Sequence, residues 1–152
     1  MPNEELLVEI LECQHDTKVG HITLNSPETL NSLTMNMVNQ ISNLLDDWEV
    51  DPQIKMILVS GSGEKAFCAG GDIRALYESM CSPEGPVFAE SFFESEYRLD
   101  YKLHNFSKPI ISLLDGIVMG GGAGLMFGSS YKIATERTKF AMPEIGVGLF
   151  PD

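Results

Sequence analysis

The sequence predicts a layered α/β domain, and three observations carry that prediction. Short apolar strands alternate with helical stretches along the 152 residues. Between 34 and 50 the apolar side chains recur at helical spacing. Residues 54–60 form a short, nearly continuous apolar run, the pattern of a strand buried on both faces of a parallel sheet. With 43% hydrophobic residues, a chain of this length can make one domain that buries roughly 70% of its unfolded surface.

Residues 6–12 and 19–24 alternate as two strands around the polar turn Gln14-His15-Asp16-Thr17-Lys18, which reads as a hairpin. Over 34–50 the residues Met37, Ile41, Leu44, Leu45 and Trp48 mark one helix face, and Asp51-Pro52 stops the helix because proline cannot continue it. After the 54–60 strand, 72–80 reads as a helix and Cys81-Ser82-Pro83-Glu84-Gly85-Pro86 as a loop. A long helix carrying Phe92, Phe93, Tyr97 and Leu103 runs to about 106. Residues 110–114 form a strand, Ile117-Val118-Met119 another that runs into glycines, and 122–128 a helical turn or more. Short strands at 132–135 and 139–141 follow. No low-complexity linker and no second domain are visible.

The net charge of -12 and pI near 4.5 exclude nucleic acid as a partner, and no basic cluster offsets them. Cys13, Cys68 and Cys81 are odd in number and lack Cys-x-x-Cys spacing, so reduced thiols are expected rather than disulfides or zinc. His15, His21 and His104 lack metal-ligand spacing, so no metal is expected. No apolar stretch reaches the ~20 residues that span a membrane, and the start Met1-Pro2-Asn3-Glu4-Glu5 lacks a leader's charge pattern. A cytoplasmic protein without membrane partners is the expectation, a mitochondrial one if a transit peptide is missing.

Glycine carries the chemical signal. Gly61-Ser62-Gly63-Glu64-Lys65-Ala66 matches a dinucleotide fingerprint in spacing, but that motif must open directly into a helix, and Phe67-Cys68-Ala69-Gly70-Gly71 intervenes. The run Gly116-Ile117-Val118-Met119-Gly120-Gly121-Gly122-Ala123-Gly124 is different. Crowded glycines let a polarised oxygen approach bare backbone NH groups, and a helix starting there adds the positive end of its dipole. An anion or oxyanion site is the natural reading, with turns and close packing as the structural alternative. A second segment, Lys65-Ala66-Phe67-Cys68-Ala69-Gly70-Gly71-Asp72-Ile73-Arg74, joins it.

Together the two segments resemble the crotonase superfamily of enoyl-CoA hydratases and isomerases. The resemblance implies a crotonase-like (ββα)n spiral core, with 1–152 as the N-terminal part of a single domain, incomplete at the C-terminus. It implies that Gly71 and Gly121 hold an acyl-CoA carbonyl oxygen between their NH groups, with Ala69, Gly70, Asp72, Ile73 and Gly120 around the substrate. Phe92-Phe93-Glu94-Ser95-Glu96-Tyr97, Lys108-Pro109, Phe140-Ala141-Met142-Pro143-Glu144 and Gly148-Leu149-Phe150-Pro151-Asp152 follow, in order, the pattern of the branch that hydrolyses 3-hydroxyisobutyryl-CoA in valine catabolism.

In that branch the glutamate after Met-Pro and the aspartate of Phe-Pro-Asp are catalytic, which points to Glu144 and Asp152. Glu96 is implied to bind the substrate hydroxyl or set the acidity of its neighbour. By itself Glu144 reads as an exposed loop carboxylate. The superfamily's hydratases carry a catalytic glutamate where Gly124 stands, which argues against hydration. Coenzyme A enters as part of the substrate and no separate cofactor is implied. Its phosphates must find Lys65 or Arg74, since Leu24-Asn25-Ser26-Pro27 has serine where many relatives have a basic residue. The family continues beyond the position of Asp152 into a segment that covers the acyl pocket and builds a homo-oligomer. The resemblance therefore implies a fragment or a shortened form. An enzyme acting on another acyl-CoA, or a non-catalytic acyl-CoA-binding chain, stays open. Leu125, Met126, Phe127, Leu149 and Phe150 are expected as exposed apolar surface.

Overall fold

Strands and helices follow in the order β1 (Leu6–Glu12), β2 (Lys18–Leu24), α1 (Met35–Val50), β3 (Ile54–Gly61), β4 (Ala66–Cys68), α2 (Ile73–Ser79), α3 (Gly85–His104), β5 (Ile110–Leu114), β6 (Ile117–Met119), α4 (Gly121–Gly128), β7 (Tyr131–Ala134) and β8 (Lys139–Ala141). The computed structural model describes residues 4–151. One sheet has the order β1-β2-β3-β5-β7 and a smaller one the order β4-β6-β8. The hairpin β1–β2 is antiparallel and every other pairing is parallel. From β3 onward successive strands join alternate sheets, and helices follow β4 and β6. Parallel neighbours need such crossovers, so the chain climbs as a spiral of ββα turns. The layered α/β prediction and its (ββα)n form agree with this architecture.

Helix α1 starts where the Thr34 Oγ1 accepts the Met37 NH at 3.1 Å, satisfying a donor that the first turn leaves orphaned. It buries Met37, Val38, Ile41, Leu45 and Trp48, with Leu44 half-buried at the edge of the stripe. Each such apolar side chain contributes about 1.5–3 kcal/mol of burial. Trp48 lies flat over Gly20, where a Cβ would come within 2.5 Å of the indole ring. At the other end Lys108 Nζ donates to the carbonyls of Trp48 and Asp51, the latter at 2.6 Å, so the last turn has a cation on its open acceptors.

Three features depart from the sequence reading. Strand β4 was not anticipated, since three residues show no periodicity and all three are buried. The 81–86 loop ends early: α3 begins at Gly85, and Pro86 fits its first turn because the missing NH would have no partner there anyway. Leu125 is buried at 3% rather than exposed, because α4 is wedged between α3 and both sheets and shows only one side to solvent. Met126 and Leu149 are half-buried, while Phe127 and Phe150 are exposed as expected. The segment 62–65 runs into β4, not a helix, so the dinucleotide motif is absent in form as well. Among the described residues no helix is long and apolar enough to cross a membrane.

Candidate active site

Strands β4 and β6 are parallel neighbours, Ala66 facing Ile117 and Cys68 facing Val118, so the glycine segments that follow them emerge side by side. They meet backbone to backbone. A Cβ at Gly70 would stand 3.1 Å from the Met119 carbonyl oxygen and 3.3 Å from the Gly121 nitrogen, and the Gly70 φ of +105° lies in the region that favours glycine. The next residue is held from the other side. The Leu33 NH donates to the Gly70 carbonyl at 2.8 Å, and the Asp72 NH donates to the Leu33 carbonyl at 2.9 Å. That bridge points the groups of residues 70 and 72 at Leu33 and turns the intervening Gly71 NH the opposite way. Gly121 is the first residue of α4, where an NH has no acceptor within its own helix and the dipole is positive.

A cavity of about 680 Å³ opens at this junction. Ala69, Gly70, Gly71, Ile73, Gly120 and Gly121 line it from the two glycine segments. Glu96, Phe93 and Tyr97 reach it from α3, and Pro143, Glu144, Val147, Leu149 and Phe150 from the last described segment. Glu96 is 4% exposed. Its Oε1 lies 1.9 Å from where a Cβ on Gly121 would stand, so its carboxylate takes the room that glycine leaves, while the Phe92 ring, at 3.0 Å, takes the room left by Gly71. Glu144 opens a short 3-10 turn, Glu144–Val147, and its Oε1 is 3.2 Å from the Cβ position of Gly120. Both Glu144 oxygens are buried, and neither accepts a hydrogen bond from a described residue. A buried carboxylate without a donor is unfavourable unless a ligand supplies one. The reading of Glu144 as an exposed loop carboxylate therefore gives way.

Of the other predicted residues, Asp72 does not line the cavity. Its Oδ1 accepts the Ala75 NH at 3.0 Å and caps α2. Asp152 lies outside the described residues. Lys65 is exposed beside a separate depression of about 490 Å³, with Asn31, Ser62 and Gly63 on its walls. Arg74 is exposed and pairs loosely with Glu78 at 3.8 Å.

Cys68 sits under the glycine segment, fully buried, with the Gly70 NH on its Sγ at 3.5 Å. Burial pushes its thiol up to about 12, against the lowering by the Gly70 NH, and the charges of Glu96 and Asp100 add to the rise. It stays protonated at neutral pH and is no nucleophile. Among the described residues no group of three or more His, Cys, Asp or Glu could hold one metal ion.

Phe93 and Tyr97, whose rings lie 6.1 Å apart, went unassigned in the sequence reading although their spacing to Glu96 puts all three on one helix stripe. Leu33, which orients Gly71, had no local signal at all.

A sequence profile of the enoyl-CoA hydratase/isomerase family matches residues 19–152. The mitochondrial 3-hydroxyisobutyryl-CoA hydrolase of Danio rerio is 47% identical over 135 residues, 89% of this chain and 35% of that protein. The Homo sapiens protein of the same name is 46% identical over 149 residues, 98% of this chain and 37% of its own length. The chain thus spans about a third of the length of the curated relatives it matches. A crystal structure of a carnitinyl-CoA dehydratase from Mycobacterium thermoresistibile superposes with a TM-score of 0.90 at 41% identity, covering 99% of this chain and 42% of that one. An enoyl-CoA hydratase from Rhodobacter sphaeroides 2.4.1 gives 0.84 at 37% identity, covering 95% and 42%. With a profile matching most of its length and paired glycine loops at the mouth of one cavity, this chain belongs to the enoyl-CoA hydratase/isomerase family.

Proposed function

We propose that the chain carries the carbonyl-binding part of an acyl-CoA thioester hydrolase whose substrate is 3-hydroxyisobutyryl-CoA, a reaction of valine degradation. The observation that carries this reading is Glu144, a buried carboxylate without a donor among the described residues, on the wall of the cavity that Gly71 and Gly121 also line. The thioester oxygen accepts from the Gly71 and Gly121 NH groups, which favour the charge that grows on it in the transition state. Glu144 then acts in one of two ways. It attacks the carbonyl carbon, expels the CoA thiolate and leaves a mixed anhydride that water cleaves, or it takes a proton from a water that attacks directly. Glu96 faces the acyl hydroxyl, and Asp152 orients the water or that hydroxyl. Coenzyme A is part of the substrate, no further cofactor enters the reaction, and the protein works as a homo-oligomer at full length. The relatives' names favour a mitochondrial setting over the cytoplasmic one.

Release of free CoA from 3-hydroxyisobutyryl-CoA tests this, with acetyl-CoA and crotonyl-CoA as controls, in this chain beside a version extended to the relatives' length. Glu144→Gln keeps the shape and removes the base or nucleophile, so hydrolysis should disappear while thioester binding stays within about threefold. The solved relatives named as a dehydratase and a hydratase favour a second reading, an enoyl-CoA hydratase or isomerase. Robust crotonyl-CoA hydration without thioester cleavage would establish that reading instead. Binding without turnover in the extended version would leave an acyl-CoA-binding protein.

A further inference from the structure

Asn31 is wholly buried, sits at a φ of +54°, and belongs to no helix or strand. A buried amide in irregular backbone needs every polar atom placed, and here each is. Its Oδ1 accepts the Ser26 NH at 2.9 Å, and its Nδ2 donates to the carbonyls of Ser62 at 2.9 Å and Ala66 at 2.8 Å. One side chain thereby ties the 26–33 segment to the turn that leads from β3 into β4. Leu30, just before it, also has a positive φ of +58°, a conformation that costs a branched residue energy and persists only where surroundings enforce it. Its consequence is that the Leu30 carbonyl accepts the Ala69 NH at 3.0 Å, while Leu33 takes both sides of the Gly70–Asp72 segment. The segment held by Asn31 is therefore the template on which residues 69–72 are laid.

We propose that Asn31 is a positioning residue that fixes the direction of the Gly71 NH through Leu30 and Leu33. The inference rests on the reading of Gly71 as a carbonyl-oxygen donor. Asn31 does not line the cavity that Gly71 and Gly121 share, so it acts on that NH only through the backbone it holds. A donor displaced by about 1 Å can lose of the order of 100-fold in rate. The contact is made weakly with the bound thioester and strengthens in the transition state, so the loss falls mainly on kcat and little on KM.

Amide hydrogen exchange on the 152-residue chain tests the template without any ligand. In Asn31→Ala and in Asn31→Asp, which keeps the acceptor and shape but loses the two donated bonds, the Ala69 and Asp72 amides should exchange at least about 10-fold faster. The amides of α1 serve as the folding control and should hold their protection. The second measurement is the affinity ratio of an acyl-CoA thioester to its thioether analogue, which lacks the carbonyl oxygen. The parent should prefer the thioester by about threefold and both variants should lose that preference, so that KM rises by no more than about threefold while kcat falls about 30- to 100-fold in the extended version. Unchanged exchange at Ala69 and Asp72, or equal loss throughout α1, overturns the inference. A parent that shows no thioester preference overturns the proposed function instead, and the exchange result still decides whether Asn31 holds the loop.

Discussion

Replacing Gly70 with alanine is the sharpest probe of how the two glycine segments meet. At a φ of +105° an L-residue carries strain of about 1–3 kcal/mol. The added Cβ also lands 3.1 Å from the Met119 oxygen and 3.3 Å from the Gly121 nitrogen. Those neighbours are backbone at the β6–α4 junction and cannot swing aside as a side chain end would, so overpacking adds about 1–3 kcal/mol. We expect a total loss of about 2–6 kcal/mol, a large share of a stability of about 5–15 kcal/mol. Two glycines nearby provide the scale. Gly148→Ala meets nothing within 4 Å but carries a φ of +80°, so it should cost about 1–2 kcal/mol. Gly146→Ala meets nothing and has no positive φ, and should fall within about 0.5 kcal/mol of the parent. Urea unfolding with linear extrapolation reads all three. In the extended protein, Gly70→Ala should also lower thioester hydrolysis about 100-fold by moving one donor. A Gly70→Ala variant no less stable than Gly148→Ala would refute the backbone contact and with it the joint placement of Gly71 and Gly121.

Gly121→Ala should displace the Glu96 carboxylate from 1.9 Å, and adding Glu96→Ala should restore the room, giving a coupling of at least about 1 kcal/mol in a double-mutant cycle of unfolding energies. Additive effects would mean the two residues do not share that space. Native-state alkylation should modify Cys13 and Cys81, both exposed, and leave Cys68 untouched to about pH 10. Because the folded Cys68 thiol titrates near 12 and the unfolded one near its ordinary value, the native state binds more protons between those limits. Its contribution to stability is present below the unfolded pKa and falls by up to about 1.4 kcal/mol per pH unit as pH rises toward 12. Cys68→Ala should flatten that slope, and an unchanged slope would assign the alkaline loss elsewhere. Lys108→Met removes the cation from the carbonyls of Trp48 and Asp51 and should lower stability by about 1.5–3 kcal/mol, with a matching shift in the unfolding midpoint.

Much of the candidate site was legible because its residues lie in two contiguous segments. Ala69, Gly70, Gly71 and Ile73 come from one, Gly120 and Gly121 from the other, and all of them line the cavity with Glu96 and Glu144. The capping role of Asp72 was not legible, because an aspartate beside a site motif and an aspartate capping a helix look alike until the Ala75 NH is seen on its oxygen. Leu125 was misread because an apolar helix gives no stripe from which to tell its inner side, and the packing of α3 and the sheets decides it.

The sequence by itself determined the local architecture: the hairpin, the α1 stripe with its Thr34 start, the β3 strand, of which Ile54, Ile57 and Val59 are buried, and the glycine segments whose chemistry needs bare backbone. Those features depend on side chains a few positions apart, and period and capping report them directly. Only the tertiary structure decided that β4 and β6 are neighbours, that Leu33 turns the Gly71 NH away from itself, and that Asn31 holds the segment from which Leu33 acts. Glu144 likewise became a buried carboxylate only when the turn after β8 folded against Gly120. Each is a contact between segments far apart in the chain. Sheet order and parallel crossovers set such contacts, and these arise from the packing of the whole core, which no local pattern of residues encodes.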